Sequence, residues 1–313
     1  MQTVVLATDL GEALRPLTDE RTPTSFLSLG DRRPLMRQWV DRLSESCTEE
    51  SVWVIVASRF LERAEALLPE AVRVLSVEAE TEVAALLSSE LAKPEHERLE
   101  GSTVLLQPAT QVIEDGEAYT RCASAAAECA TSTGRPVALV ADSDGTAGRP
   151  TGIHVWPTEA LLRYVTDGLG LPAAEHEMET LPLENAGWID LSDWEGIRRL
   201  LAYVEKPWGH ERLWALNRHY AGKVLFIRAG ESLSLQYHEV KDETIRITSG
   251  RMRFRVGPSA DELETVVLEP GMSYAIPPRA VHQMEATEDC TVFEVSTPHL
   301  TDVVRIEDRY GRS

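Results

Sequence analysis

The sequence predicts two domains: a Rossmann-like α/β domain over residues 1–203 and an all-β, small jelly-roll barrel over residues 204–313. A chain of 313 residues is long enough to form two cores. In its first part, short β-branched runs alternate with helical patterns, which is typical of an α/β fold with a mostly parallel sheet. In its second part, short strands recur at about ten-residue spacing between Gly, Pro and Asp, which is typical of a jelly roll.

The elements of the first domain follow from these patterns. Six runs have the apolar, β-branched character of strands: TVVLAT, VWVIVA, VRVLSV, TVLLQP, PVALVAD and GIHVWP. Helical periodicity covers residues 34–44, 58–68, 81–92, 115–132 and 158–168. The segment YVEKPWG, from Tyr203 to Gly209, predicts the junction between the domains because the pattern changes beyond it.

The barrel is predicted from eight further runs. They are GKVLFIRAG, SLSLQYH, ETIRITSG, RMRFRVG, ETVVLEPG, SYAIPP, VHQMEA and CTVFEVST. The terminal segment DVVRIEDRYGRS is expected to pack over the barrel as an arm or a helix.

The composition narrows the class of partner. A formal net charge of −20 argues against nucleic acid, because phosphate binding needs basic patches. The opening MQTVVLATDL has no basic n-region, and no apolar run reaches the about 18 residues of a membrane span, so we expect a cytoplasmic protein with no membrane partner. The cysteines form no CxxC pair and are expected to be buried thiols: Cys47, Cys122, Cys129 and Cys290.

Acidic residues outnumber basic ones by 51 to 31, and few of the bases are lysines. This composition indicates an adaptation to high salt, since molar salt screens the repulsion between like charges. A high-GC genome accounts equally well for the arginine bias, but not for the acid excess.

Two segments of the second domain share one spacing pattern. The first runs from Gly230 through Gln236, His238 and Glu243 to Gly250. Side chains two apart on a strand share a face, so Gln236 and His238 point into one cavity, while Glu243 opens the next strand.

The second segment, GMSYAIPPRAVH, ends at His282. Two imidazoles, a carboxylate and an amide oxygen that converge would hold a divalent transition metal and leave positions open for water or substrate. The sequence therefore predicts a metal site made by Gln236, His238, Glu243 and His282. The alternative is that the two histidines are ordinary polar residues of a β-rich region.

These segments resemble the paired motifs of the cupins. Gln236 stands where most cupins have histidine, and Arg279 where they have a turn glycine. With VEKPWGHE and FEVSTPHLTDVVRIEDRYGR, residues 204–313 resemble the C-terminal cupin domain of type II mannose-6-phosphate isomerases. In that family Gln, His, Glu and His bind zinc, so the resemblance implies zinc, with manganese, iron and nickel as other candidates.

The first domain resembles, more faintly, the sugar-1-phosphate nucleotidyltransferases to which those isomerases are fused. The whole order resembles a bifunctional mannose-1-phosphate guanylyltransferase and mannose-6-phosphate isomerase. The phosphate loop of that family is here ATDLGEALRPL, with Thr8 and Asp9 in place of two glycines and Ala13 in place of an arginine.

Further positions of that family are also altered. Thr24 replaces its lysine and Thr110 its metal-binding aspartate, whereas Asp190 matches its final aspartate. Each such electrostatic group is worth roughly 10²–10³ in rate. The resemblance therefore implies an inactive nucleotidyltransferase-like domain that serves dimerisation or regulation, and a homodimer is the expected assembly. An active enzyme and an accidental α/β similarity are the alternatives.

Three cationic side chains are candidates for the chemistry of the second domain. Lys241 is a candidate phosphate contact or acid–base group, with a solvated turn lysine as the alternative. Arg305 matches an arginine of the family's terminal motif and would meet a sugar phosphate bidentately, and Arg279 would do the same at the barrel mouth. Tyr237 and Tyr274 either flank the pocket or pack in the core.

The predicted function is the aldose–ketose isomerisation of a sugar phosphate, in which a metal stabilises the charge of an enediol. Three alternatives stay open at this point. They are a metal cupin that binds or senses a sugar phosphate without turnover, a cupin dioxygenase that uses oxygen, and a working guanylyltransferase.

Overall fold

The structure, a computed structural model, describes residues 1–29, 33–93, 102–141, 148–166 and 178–312. The chain divides into two compact units. The first comprises Met1–Leu10, Pro23–Phe26 and Arg33–Asp190, and the second comprises Gly11–Thr22, Leu27–Arg32 and Leu191–Ser313. Among the helices in these described ranges, none has both the length and the apolar character that a bilayer crossing requires.

The first unit alternates strands and helices. Its strands are β1 (Gln2–Ala7), β2 (Val52–Ala57), β3 (Arg73–Val77), β4 (Thr103–Pro108), β5 (Gln111–Ile113), β6 (Val137–Ala141), β7 (Arg149–Pro157), β8 (Glu179–Leu183) and β9 (Trp188–Asp190). Its helices are α1 (Leu35–Ser44), α2 (Leu61–Leu67), α3 (Val83–Leu91), α4 (Gly116–Thr133) and α5 (Thr158–Thr166). The six strands predicted for this half are therefore present, as are the five helices.

A mostly parallel sheet forms the middle of this unit. Its strand order is β3-β2-β1-β4-β7-β6-β8, and only β7 runs antiparallel to its neighbours. Alternate side chains of each strand enter two different cores, because successive residues of a strand face opposite sides. Val5 and Leu105 pack with α1 and α4, whereas Val4 and Leu106 pack with α3 and α5. The predicted α/β fold is confirmed.

The cysteines correct one expectation. All four are free, and only Cys290 is buried, whereas Cys47, Cys122 and Cys129 are half-buried. The burial predicted for these three thiols is therefore wrong. On α4 the reason is helical geometry, since the buried face is made of alanines such as Ala126 and the two cysteines of this helix lie at its edge.

From Leu191 onwards, the second unit has a short helix followed by strands. The helix is α6 (Trp194–Leu200). The strands are β10 (Val204–Lys206), β11 (Gly209–Leu216), β12 (Ala221–Ile227), β13 (Leu235–His238), β14 (Glu243–Ser249), β15 (Met252–Gly257), β16 (Glu264–Leu268), β17 (Ser273–Ile276), β18 (Val281–Ala286), β19 (Cys290–Ser296) and β20 (Val303–Glu307). All eight strands predicted for the barrel are present.

Two antiparallel sheets enclose the core of this unit. One has the order β10-β11-β12-β19-β14-β17, and the other has the order β16-β15-β18-β13-β20. Between them lie buried apolar side chains such as Ile245, Phe254 and Val292. Two facing sheets with alternating inward side chains are the architecture of a jelly roll, so the predicted all-β barrel is confirmed.

The terminal segment takes a different form from the one predicted. The terminal segment forms β20, which pairs with β13, so its prediction as an arm or a helix is wrong. Alternating residues such as Val303 and Arg305 fit a strand, and the unpaired edge of β13 accepts them. The segment predicted as the junction between the domains contains β10 and its turn into β11. Gly209 is needed there for the close approach of two backbone segments, because a Cβ atom would lie 1.8 Å from the carbonyl oxygen of Phe226.

Candidate metal centre

Three potential ligands meet inside the barrel. His238 ends β13, Glu243 begins β14 and His282 lies near the start of β18. All three side chains are buried, and one ligand atom from each lies within 4.8 Å of the others. Glu243 Oε1 is 3.3 Å from His282 Nε2 and 3.8 Å from His238 Nε2. The structure thus brings together two imidazoles and a carboxylate that the sequence places in separate motifs.

Hydrogen bonds fix the orientation of both imidazole rings. His282 Nδ1 is 2.9 Å from the carbonyl oxygen of Ala280, and His238 Nδ1 is 3.0 Å from Asp302 Oδ1. Both partner oxygens are acceptors, so each Nδ1 carries the proton and donates it. In the neutral ring, each Nε2 then holds a lone pair directed at Glu243. This is the arrangement in which histidine binds a metal.

The lone pairs provide a test of whether the site fits a cation. His282 Nε2 is buried and makes no hydrogen bond within the described part of the chain. Burial lowers the pKa of His282 despite the nearby Glu243 carboxylate, so the ring is neutral at physiological pH. A lone pair of nitrogen then faces a carboxylate oxygen, which is repulsive unless a cation lies between them. The site therefore fits a divalent metal.

The fourth predicted ligand, Gln236, lies beside this cluster. It is opposite His282 in the register between β13 and β18, so the two side chains leave the sheet on the same side. Its amide oxygen accepts a hydrogen bond of 2.6 Å from the Ser234 hydroxyl. An amide oxygen has two lone pairs, so one remains for a metal.

Lys241 lies behind Glu243, inside the protein. Its ammonium group contacts Glu243 Oε2 and lies 2.7 Å from Glu294 Oε1. Burial opposes the charged form of Lys241, but the carboxylates of Glu294 and Glu243 outweigh it and raise the pKa. The alternative interpretation, a solvated lysine in a turn, is wrong because this side chain is only 5 % exposed.

The two predicted arginines occupy different positions. Arg305 is opposite Gln236 in the register between β13 and β20, on the side of the sheet that carries the ligands. Arg279 lies in the turn between β17 and β18, where its φ of 67° explains why a glycine is usual there. Its side chain is exposed and forms an ion pair of 3.0 Å with Glu239.

The two tyrosines differ as well. Tyr274 packs against Phe254 with ring centroids 4.9 Å apart, at the edge of the barrel core. Tyr237 is half-buried, and it alternates with Gln236 and His238 along β13, so it points to the other side of the sheet.

Two contributors to the centre are absent from the sequence analysis. Asp302 accepts hydrogen bonds from His238 and from the backbone N–H groups of Val240 and Lys241. Glu294 binds Lys241 from β19. The alternating burial of β19 places Glu294 on its inward face with Val292, and a charge at an inward position was the available signal. For Asp302 the sequence offers no comparable signal.

Within residues 1–203, the altered positions hold neutral or acidic groups. Thr24 and Thr110 are buried, Ala13 is exposed, and Thr8 donates a hydrogen bond of 3.0 Å to Glu80. Next to Thr110, Tyr119 donates to Gln107 and Gln107 donates to Gln111, over 2.9 and 3.2 Å. Asp190 is opposite Gln111 in the short sheet of β5 and β9. Polar amides and a hydroxyl therefore fill the interior at this point.

Comparison with known proteins identifies the barrel. Residues 224–296 match the family model described as the cupin domain. No curated protein matches the chain.

Several solved structures are similar in fold. Mannose-1-phosphate geranyltransferase from Thermus thermophilus is 19 % identical over 66 % of this chain and 80 % of its own, with a TM-score of 0.48. KdgF from a Halomonas species is 19 % identical over 31 % of this chain and 84 % of its own, with a TM-score of 0.28. A putative sugar phosphate isomerase from Acidithiobacillus ferrooxidans is 16 % identical over 30 % of this chain and 65 % of its own, with a TM-score of 0.26.

Proposed function

We propose that this chain is a metal-dependent isomerase that interconverts the aldose and ketose forms of a sugar phosphate, with mannose 6-phosphate as the first substrate to test. The observation that supports it most is the convergence of three lone pairs, from His238, Glu243 and His282, inside a cupin barrel. A bound divalent metal, with zinc as the proposed ion, would polarise the sugar oxygens and stabilise the negative charge of an enediol.

The residues of the chain supply binding and orientation. His238, His282, Glu243 and Gln236 would hold the metal from one side. Arg305 lies on the same side of its sheet, and its planar guanidinium suits two hydrogen bonds to a phosphate. Arg279, exposed at the rim, is the second proposed phosphate contact.

A cupin that binds the sugar phosphate without turnover is the second candidate, and one observation favours it. Lys241, the predicted acid–base group, is held as a cation between two buried carboxylates, and its pKa is raised. A lysine with a raised pKa does not act as a base near neutral pH.

We propose that residues 1–203 form a nucleotidyltransferase-like domain without catalytic activity. The family's arginine, lysine and metal-binding aspartate are Ala13, Thr24 and Thr110 here. Acidic side chains in the loop, Asp9 and Glu12, would repel a triphosphate. We also propose a homodimer, which sedimentation of the intact chain would test.

A coupled assay with mannose 6-phosphate and added zinc, manganese or iron tests the isomerase. Turnover that is abolished in a His238→Ala, His282→Ala variant supports it, and His219→Ala, which removes an exposed histidine outside both motifs, serves as the control. Saturable binding of the sugar phosphate without turnover would favour the second candidate. Oxygen uptake would indicate the dioxygenase instead, and pyrophosphate release from GTP and mannose 1-phosphate would indicate an active guanylyltransferase.

Metal content separates the site from the reaction. The wild-type chain and His219→Ala are expected to bind about one metal per chain, since four ligands make one site. Stoichiometric metal in the double histidine variant would refute the ligand assignment, whatever the activity.

A further inference from the structure

Behind the ligand cluster, the interior of the barrel contains a row of charged side chains that the reaction does not use. Lys241 contacts the outer oxygen of Glu243 and lies 2.7 Å from Glu294. Glu294 is opposite Lys223 in the register between β12 and β19, and Lys223 lies 3.3 Å from Glu211. Negative and positive groups thus alternate from the ligand cluster to Glu211.

We infer that Lys241 and Glu294 are positioning residues, which act through Glu243 to set how it presents an oxygen to a bound metal. This inference rests on the proposed metal site. Lys241 occupies Oε2 of Glu243, and the remaining oxygen, Oε1, faces the two histidines. Glu243 is therefore held as a ligand that offers one oxygen rather than two.

Glu294 has a separate task in this arrangement. It binds the other side of the Lys241 ammonium group, and the Ser296 hydroxyl lies 3.4 Å from the same Glu294 oxygen. Burial opposes the charge of Glu294, but Lys241 and Lys223 lower its pKa to about 2, so it stays a carboxylate. Because Glu294 and Glu243 hold the Lys241 ammonium group from both sides, its position is fixed, and so is the position of the Glu243 oxygen that it binds.

Stability alone does not explain these buried charges. Charged groups lose their hydration inside a barrel, and apolar replacements of a buried ion pair are often neutral or stabilising. Lys241, Glu243 and Glu294 are each 5 % exposed or less. The fold alone therefore gives no reason for these charges, and their placement points to the ligand that they touch.

The test uses Co²⁺ as the probe, because its visible absorption reports the number and geometry of its ligands. Lys241→Met removes the ammonium group and keeps most of the volume. We expect Co²⁺ affinity to fall about 10–100-fold, as is typical when a group that orients a metal ligand is lost, and the spectrum to change. Glu294→Gln, which keeps Lys241 but removes one of its two anchors, should change both properties in the same direction and less.

Lys223→Met is the matched control. It also removes a lysine with a carboxylate partner inside this barrel, but Lys223 is paired with Glu211 rather than with Glu243. Because Lys223 lies opposite Glu294 and helps to lower its pKa, but does not contact Glu243, affinity and spectrum should change far less than in Lys241→Met, even where the variant melts at a lower temperature. Lys241→Arg, which restores a cation, is expected to recover part of the affinity.

The outcomes distinguish this inference from the function. A folded Lys241→Met protein with wild-type affinity and spectrum would overturn the positioning role while the metal site stands. A wild-type protein that takes up no Co²⁺ would overturn the metal site, and this inference with it. If Lys241→Met does not fold, Glu294→Gln decides, and an unchanged spectrum in that variant counts against the role.

Discussion

Asp302 provides the sharpest test of how the centre is built. One of its oxygens accepts the Nδ1 proton of His238 at 3.0 Å, and the other accepts two backbone N–H groups at 2.8 and 2.9 Å. Burial opposes its charge, but these hydrogen bonds outweigh that effect and lower its pKa, so it is a carboxylate at neutral pH. Asp302→Asn keeps the shape and replaces one oxygen by an NH₂ group.

The NH₂ group conflicts with one set of donors. If the remaining oxygen stays with the two backbone N–H groups, the NH₂ group faces the Nδ1–H of His238, and that hydrogen bond is lost. A hydrogen bond to a charged group contributes about 1.5–3 kcal/mol, so the free energy of unfolding should fall by roughly 2–3 kcal/mol. The freed ring should lower metal affinity about 10–100-fold, or about 1.4–2.8 kcal/mol.

Asp308→Asn is the matched control for this substitution. Asp308 accepts the backbone N–H groups of Tyr310 and Arg312 at 3.1 and 2.7 Å, and it also binds the Arg312 guanidinium. It has no contact with His238 among its hydrogen bonds. The control should therefore lose stability and keep its metal affinity.

Two measurements decide the outcome. Chemical denaturation gives the stability of each variant, and competition with a chelator gives its metal affinity. If Asp302→Asn binds metal as tightly as Asp308→Asn, then Asp302 does not orient His238 and the reasoning is refuted. Equal loss of affinity in both variants would point to general loosening of the fold.

Three further predictions concern charge and strain. Raising sodium chloride from about 0.01 to 1 M should raise the melting temperature more than sucrose does, because the Debye length falls from about 30 to 3 Å and the repulsion between acidic side chains is screened. A melting temperature that stays flat or falls with salt would argue against high-salt adaptation. Glu294 has a depressed pKa, so its contribution to stability should be complete above the ordinary pKa of 4.5 and should fall as the pH approaches 2. Urea midpoints at pH 7, 4 and 3 measure this fall. The fall should be shallower in Glu294→Gln. Arg279→Gly should raise the free energy of unfolding by a few tenths to about 1 kcal/mol, because a left-handed residue costs roughly 1–2 kcal/mol and the greater freedom of glycine in the unfolded chain takes back about 0.4–1 kcal/mol. Asn185→Gly, at a φ of 56°, should gain less stability. A clear loss of stability in Arg279→Gly would contradict the strain argument.

Much of the fold was predictable because its signals are local. Buried strands of a parallel sheet are continuous apolar runs, such as VWVIVA in β2, whereas barrel strands alternate, as in ETIRITS of β14. The terminal segment was predicted wrongly because the alternation of β20 is short enough to be taken for an arm.

The candidate centre was predictable in part for the same reason. His238 and Glu243 are close in sequence, and the turn before His282 has its own spacing, so the ligands can be recognised from two local patterns. The residues that orient the ligands cannot be recognised in this way. Asp302 is 64 positions from His238, and Glu294 is 53 positions from Lys241, and no residue type or spacing links the members of either pair. Only the strand register brings them together.

The interiors of the two units differ in a way that bears on which of them carries chemistry. In the first unit, Gln107, Gln111 and Tyr119 satisfy one another as neutral groups next to Thr110. Neutral amides need only hydrogen bonds to be buried, whereas charges need counter-charges as well. The barrel keeps several charged groups at far greater desolvation cost, among them Lys241 and Glu294. Since apolar replacements of buried ion pairs are often neutral or stabilising, the cost favours a role for these charges in supporting the ligand cluster that they surround.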